Sequence, residues 1–121
     1  MSKDHMNHEV INALRDVMEG GFADLLDTFL SDSEERIDQL HNTRQAHDLS
    51  RVAHSFKGSS SNMGATRLAE LCSQLEERAQ KEPLAEVKKL VIEIDDEYKM
   101  VRKLYGAERQ RVIAASYVSG G

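Results

Sequence analysis

A histidine and a lysine share one segment of the chain in a spacing that suits phosphoryl chemistry. The segment around His54 predicts a helix, and on a helical wheel His54 projects roughly opposite the apolar stripe. We therefore expect its imidazole to face solvent or a partner. Lys57 follows three residues later, which places an ammonium group within reach of whatever the imidazole carries. Because a neutral imidazole is a competent nucleophile near neutral pH and a cation steadies an anionic group, these residues predict a histidine that accepts a phosphoryl group.

Gly58 is unusual because it lies inside the same predicted helix without filling a core position. It comes four residues after His54 and therefore shares its face. A glycine inside a helix costs about 1 kcal/mol relative to alanine, and packing within the protein offers no compensation here. The gain that we predict is the removal of a side chain beside the imidazole, which lets another surface approach His54.

Amphipathic segments predict the helices that must position this histidine. The apolar spacing predicts a short helix at about 9–18 and longer helices at about 22–44, 49–62 and 65–81, with Asp48 as the N-cap of the third. A fifth helix is expected to begin with Pro83 in its first position and to carry an apolar seam as far as Tyr105. Because the long helices must bury their stripes against each other, we expect an all-α fold: an antiparallel up-down-up-down four-helix bundle with a short N-terminal capping helix. A coiled-coil dimer is the other use of the fifth seam, but the remaining helices need that seam as a partner.

The composition of the whole chain argues against several classes of protein. The 121 residues carry 16 Lys and Arg against 21 Asp and Glu, and the resulting net charge of −5 disfavours general nucleic-acid binding. One Cys cannot build a disulfide framework or a thiolate zinc site, and no apolar run approaches the length of a membrane helix. We expect one domain over residues 7–115, disordered ends or tag remnants at 1–6 and 116–121, and a cytoplasmic monomer.

The histidines do not suggest a metal site. His47 shares a face with His54, but seven residues separate them by about 10 Å along a helix, so that one ion cannot bind both. No Glu lies three residues before any His, as the inward pairs of di-iron bundles require. Cys72 falls on the apolar stripe of the fourth predicted helix, where we expect an inert buried thiol. We predict no metal and no other cofactor for this chain.

The segment AHSFKGSSSNMGA from Ala53 to Ala65, with the leucine-rich stretch that follows it, closely resembles the histidine-containing phosphotransfer (HPt) domain, of the stand-alone bacterial type. The family pattern is His-x-hydrophobic-Lys-Gly-Ser, then Gly-Ala, then a leucine-rich fourth helix. Phe56 departs from it, since Leu is more usual there, but the change is apolar and on the buried side. The resemblance covers roughly residues 22–105. It implies that the protein takes a phosphoryl group from an aspartate on one receiver domain and passes it to an aspartate on another.

The resemblance also assigns roles to single residues. It implies that His54 is phosphorylated through Nε2, that Lys57 contacts the phosphoryl oxygens, and that Gly58 clears the approach. Glu76 matches a fourth-helix position that hydrogen-bonds the other ring nitrogen in the family. Ser61 lies near the site and is a further candidate for contact with the phosphoryl oxygens. The alternatives for Glu76 are a pairing with Arg78, a pairing with Lys81, or no partner.

The expected partners follow from the same resemblance. The chain shows no glycine-rich nucleotide-binding loop, so we expect a phosphocarrier and not an enzyme with its own kinase activity. The partners would be the receiver domain of a hybrid sensor kinase and that of a response regulator, with Mg²⁺ on the receiver only, and neither nucleic acid nor membrane. Arg36 on the second helix, with His47 and Arg51, forms the predicted partner surface. The alternative is a helical-bundle adaptor that binds signalling partners without phosphorylation, and the presence of His54, Lys57 and Gly58 argues against it.

Overall fold

Short turns join the helices of the protein. The computed structural model describes residues 4–120, and the side chains of residues 4–115. The helices are α1 (His8–Met18), α2 (Phe22–Asn42), α3 (Ala46–Asn62), α4 (Thr66–Arg78) and α5 (Leu84–Gly120), and one 3₁₀ turn, Glu19–Gly21, links α1 to α2. Each of α2 to α5 packs against the two helices beside it in a closed ring, and α1 packs on α2. The predicted four-helix bundle with a capping helix is therefore confirmed.

Polar contacts show the direction of α5 against α2. Lys88, near the start of α5, donates hydrogen bonds of 2.6 to 3.2 Å to three carbonyl oxygens at the end of α2. Further along α5, the Tyr98 hydroxyl donates to the carbonyl of Leu30 at 2.9 Å, and Arg109 lies 2.7 Å from the Asp27 carboxylate. Because the contacts move toward the start of α2 as α5 proceeds, the two helices are antiparallel. Lys88 also supplies donors to carbonyls that a helix end leaves unpaired.

The core joins all the helices through buried apolar side chains. The Tyr105 ring is fully buried, and its centroid lies 5.5 Å from that of the Phe29 ring. The Tyr105 hydroxyl donates a hydrogen bond of 2.6 Å to the carbonyl of Met63. Burial raises the pKa of the Tyr105 hydroxyl far above its ordinary value, so that it remains a donor. Cys72 is buried as predicted, and burial raises the pKa of its thiol to about 12, which makes it inert. Other fully buried side chains are Ile11, Phe22, Leu26, Leu40, Leu49, Phe56, Leu68, Leu75 and Ile94.

Two helix starts differ from the prediction. α3 begins at Ala46, so that the assignment of Asp48 as its N-cap is wrong: Gln45 holds that position, and its side chain makes no capping hydrogen bond. Asp48 lies instead in the first turn, where the helix dipole also favours a carboxylate, and the two positions give the same sequence signal. Pro83 precedes the first helical residue of α5, and its carbonyl accepts the first backbone hydrogen bonds of that helix.

The chain packs on the bundle from Asp4 onward, ahead of the predicted boundary at residue 7. Met6 is only 7% exposed and belongs to the core, and His5 Nδ1 lies 2.6 Å from the carboxylate of Glu97 in α5. The carbonyl of Asp4 accepts a backbone hydrogen bond of 3.0 Å from the start of α4. The expectation of a disordered end therefore does not apply to residues 4–6, because an apolar site in the core receives Met6. Residues 1–3 and 121 lie outside the described residues.

The far end of the chain also differs from the predicted boundary at residue 115, since α5 continues to Gly120. In the part of the chain that the structure describes, no helix combines the length and the apolar character needed to cross a bilayer.

Candidate functional site

His54 lies in the middle of α3, on the face turned away from the core. The opposite side of this helix buries Leu49, Val52 and Phe56 against the bundle. The side chain of His54 is consequently 69% exposed, as the apolar pattern predicts. The histidine is thus presented outward from a rigid element and not from a loop.

A single carboxylate from α4 binds both His54 and Lys57. The short turn after α3 brings α4 back antiparallel, which places Glu76 beside the middle of α3. One Glu76 oxygen lies 2.7 Å from His54 Nδ1, and the other accepts a hydrogen bond of 2.7 Å from Lys57 Nζ. Arg78, an alternative partner for Glu76 in the sequence, binds Glu82 instead, at 2.8 Å. The pairing of Glu76 with His54 is therefore observed, whereas no pattern in the sequence predicts the bridge to Lys57.

The electrostatics of Glu76 determine which ring nitrogen carries the proton. The hydrogen bond from Lys57 holds the pKa of the Glu76 carboxyl below its ordinary value, and the bond and nearby charge of His54 act in the same direction against partial desolvation. An ionised carboxylate can only accept hydrogen bonds, so that His54 Nδ1 must donate. In a neutral imidazole the lone pair then lies on Nε2, the nitrogen opposite the one held by Glu76. The arrangement presents an oriented, exposed nucleophile.

The space around Gly58, on the same face of α3 as this nucleophile, is open. A Cβ atom built at Gly58 would meet nothing within 4 Å, so the bundle itself places no demand for glycine there. Ser61 is exposed two turns beyond His54, and the hydrogen bonds that join His54, Lys57 and Glu76 do not include it. Its contact with a phosphoryl group stays a prediction.

Two surface recesses flank α3 and contain the residues of the predicted partner surface. The recess between α3 and α4 has a volume of about 260 Å³ and is lined by His47, Ser50, Arg51, His54, Glu76 and Gln80. The recess between α2 and α3, of about 340 Å³, contains Arg36 and Ser55, and Arg51 borders it as well. Arg36 donates hydrogen bonds of 2.8 and 3.2 Å to the Ser55 hydroxyl, which places it beside the histidine's neighbour as the antiparallel pairing predicts.

Other histidines bind carboxylates that are remote in sequence. His41 lies 2.6 Å from Asp95, in addition to the contact of His5 with Glu97. No spacing pattern in the sequence predicts either pair, because 54 residues separate His41 from Asp95 and 92 separate His5 from Glu97. Among the residues that the structure describes, no group of three His, Cys, Asp or Glu side chains is arranged to hold a metal ion.

Comparisons with known proteins agree with this fold. A family model described as the Hpt domain matches residues 24–103. The crystal structure of histidine-containing phosphotransfer protein B from Pseudomonas aeruginosa PAO1 is similar, with 44% sequence identity and a TM-score of 0.86 over 91% of this chain and 98% of that chain. A search of curated proteins found no match. Since the family model matches well over half of the chain and places His54 within the matched region, the chain belongs to the Hpt domain family.

Proposed function

We propose that this protein is the histidine phosphocarrier of a multistep phosphorelay, in which His54 accepts a phosphoryl group from an aspartate of one receiver domain and passes it to an aspartate of another. The observation that carries this proposal is the bond of His54 Nδ1 to Glu76, because it leaves the exposed Nε2 as the nucleophile. Membership of the Hpt domain family and the similarity to a histidine-containing phosphotransfer protein support it.

The proposed reaction forms one bond at Nε2 of His54 and breaks one bond to the receiver's aspartate. The Nε2 lone pair attacks the phosphorus of an aspartyl phosphate, the N–P bond forms as the acyl P–O bond breaks, and the aspartate leaves as a carboxylate. The ring keeps its Nδ1 proton and becomes a phosphorylated imidazolium. Its positive charge then faces the Glu76 carboxylate at 2.7 Å, which stabilises the phosphorylated state. Attack by a second receiver's aspartate on the same phosphorus reverses these steps.

Lys57 and Gly58 complete the proposed site. An ammonium group has three donors, and Lys57 uses one of them on Glu76, so that the others remain to bind phosphoryl oxygens. The open space over Gly58 admits the loops of a receiver domain to within bonding distance of Nε2. In this scheme the charge on the reacting phosphoryl group is also offset by Mg²⁺ on the receiver.

The proposed partners are the receiver domain of a hybrid sensor kinase and the receiver domain of a response regulator. Both would dock over the exposed face of α3 and the adjoining part of α2, where Arg36, His47 and Arg51 border the two recesses. The chain is a carrier in this scheme, and the phosphoryl group originates in a kinase. A monomeric state and a cytoplasmic location stay predictions.

Transfer from a radiolabelled, phosphorylated receiver domain tests the proposal. We expect wild-type protein to acquire a label that is labile in acid and stable in alkali, and His54→Gln to acquire none. The matched control is His41→Gln, which removes another exposed histidine, one that is bound to Asp95 on α5, and should transfer like wild type. Label on His54→Gln, or no label on wild type from any cognate receiver, would contradict the proposal. Binding to receivers without transfer would favour the adaptor.

A further inference from the structure

A second cation borders the recess beside His54. Arg51 precedes His54 by three residues and Lys57 follows it by three, so that each lies about one helical turn from the imidazole. The recess between α3 and α4 is lined by Arg51 and His54 but not by Lys57. The space into which a group on the imidazole can extend is therefore flanked by the arginine.

The two cations differ in how firmly they are held. Lys57 is only 36% exposed and is bound to Glu76 at 2.7 Å. Arg51 is 67% exposed, and its ion pair with Asp48 is long, at 3.6 Å. A surface pair of this length contributes little, so that the guanidinium can leave Asp48 at small cost. Arg51 is thus a loosely paired donor group available to an anion.

The direction of helical side chains brings an anion on His54 toward Arg51. Side chains of an α-helix lean toward its N-terminus, so that the His54 ring lies over the turn that carries Ser50 and Arg51. The bond from Nδ1 to Glu76 holds the ring in this position. Arg51 leans toward Asp48 in the same way, so that its guanidinium must leave Asp48 and turn toward His54 to reach a group bonded to Nε2.

We propose that Arg51 is a phosphoryl-binding residue, whose guanidinium donates two hydrogen bonds to oxygens of the phosphoryl group on His54. It would act from the N-terminal side of the site while Lys57 acts from the C-terminal side. The guanidinium fork matches a pair of phosphoryl oxygens, and its charge offsets theirs during transfer. This proposal rests on the phosphorylation of His54, and it gives Arg51 a role in the chemistry in addition to contact with a receiver.

Phosphoramidate, a small donor with no docking surface, separates these two roles. We expect Arg51→Gln to take up phosphoryl from phosphoramidate roughly tenfold more slowly than wild type, the effect of losing one charge-assisted contact in a solvent-exposed site. Arg51→Lys, which keeps the charge without the fork, should fall between the two. Arg102→Gln is the matched control, since Arg102 on α5 is 69% exposed and its ion pair with Glu34 on α2 is also long, at 3.9 Å. Circular dichroism should show the same helix content in all variants.

The outcomes are distinguishable. Slower uptake by Arg51→Gln from phosphoramidate, with Arg102→Gln unchanged, supports the proposal. Slower transfer from a phosphorylated receiver alone would assign Arg51 to docking only and would overturn it, as would unchanged rates from both donors. Failure of the phosphocarrier function itself would show differently, as wild-type protein without label or His54→Gln with label. In a second measurement, the Nε–H resonance of Arg51 should shift on phosphorylation while that of Arg102 stays in place.

Discussion

At the scale of single residues, Glu76 determines the chemical state of the site. One oxygen of Glu76 accepts a hydrogen bond from His54 Nδ1 and the other accepts one from Lys57 Nζ, each over 2.7 Å. The hydrogen bond from Lys57 lowers the pKa of a carboxyl that is already ionised near neutral pH, and the ionised carboxylate keeps the imidazole in the tautomer with a lone pair on Nε2. Lys57 therefore holds the second oxygen of Glu76 and extends the ionised range of this carboxyl to lower pH.

Lys57→Met should raise the pKa of the Glu76 carboxyl toward its ordinary value of 4.5, because the hydrogen bond from Lys57 is the largest cause of its lowering. A carboxyl whose pKa is lower in the folded state than in the unfolded chain stabilises the fold above the unfolded pKa. That stabilisation is lost as the pH falls through the folded pKa. Carboxyl ¹³C shifts of Glu76 measured against pH would report the change. Lys89→Met, which removes an exposed partner of Glu86, is the control, and equal Glu76 midpoints in wild type and Lys57→Met would contradict this account.

Gly58→Ala should make the protein more stable and a poorer acceptor. A methyl group there meets nothing within 4 Å, so that the gain in helix propensity, about 1 kcal/mol, is not offset by a clash within the bundle. The same methyl group stands on the face that a receiver must approach, and we expect slower transfer from a phosphorylated receiver. Urea denaturation and transfer rates measure the two effects. Lower stability, or higher stability with unchanged transfer, would remove the explanation for this glycine.

At the scale of the elements, the turn between α3 and α4 brings Glu76 to His54. Gly64 has a φ of +75° in this turn, a conformation that side-chain-bearing residues rarely adopt. Its carbonyl accepts a hydrogen bond of 2.7 Å from the backbone of Asn7, and the Asn7 side chain caps α1. The turn therefore places α4 beside α3 and holds the start of α1 at once.

Gly64→Ala should lower the free energy of unfolding by about 2 to 3 kcal/mol, from left-handed strain together with crowding. The added Cβ would lie 3.0 Å from the Cβ of Val10 and 3.2 Å from the carbonyl oxygen of Asn7. Gly20→Ala is the control, since a Cβ there meets nothing within 4 Å and its φ is not positive. Urea denaturation of both variants measures the difference. A loss no larger for Gly64→Ala than for Gly20→Ala would show that the turn tolerates a side chain.

At the scale of the whole molecule, the segment before α1 is part of the bundle. Met6 enters the core, and His5 reaches Glu97, which is only 6% exposed in α5. These contacts lie away from the exposed face of α3. The segment should therefore contribute to the stability of the protein and not to its phosphoryl chemistry.

Met6→Ala should lower the free energy of unfolding by about 2 kcal/mol, the low end for a large-to-small change in a core, because Met6 lies at the edge of the core. Phosphoryl transfer should stay at the wild-type rate. Val17→Ala is the matched control: Val17 is 79% exposed, and its change should cost less than about 0.5 kcal/mol. Equal thermal midpoints for the two variants would mean that Met6 is not held in the core in solution.

Features that depend on neighbours along the chain can be predicted from the order of the amino acids. The helices follow from apolar residues that recur every three or four positions, and the exposure of His54 and the nearness of Lys57 and Gly58 follow from the geometry of one helix. The start of α3 does not follow from the sequence, because Asp48 is favourable both as a cap and in the first turn, and the helix begins at Ala46.

Contacts between groups that are remote in sequence depend on how the helices pack. Glu76 joins His54 and Lys57 across 22 and 19 residues, and His5 meets Glu97 across 92. Such contacts depend on how helices rotate and slide when their apolar stripes pack, and no local spacing encodes that register. The resemblance to HPt domains matched Glu76 to a ring-binding position, but its second bond, to Lys57, emerged from the packing of α4 on α3. The nucleophile was therefore readable in the sequence, whereas the pairing of Glu76 with both His54 and Lys57 needed the fold.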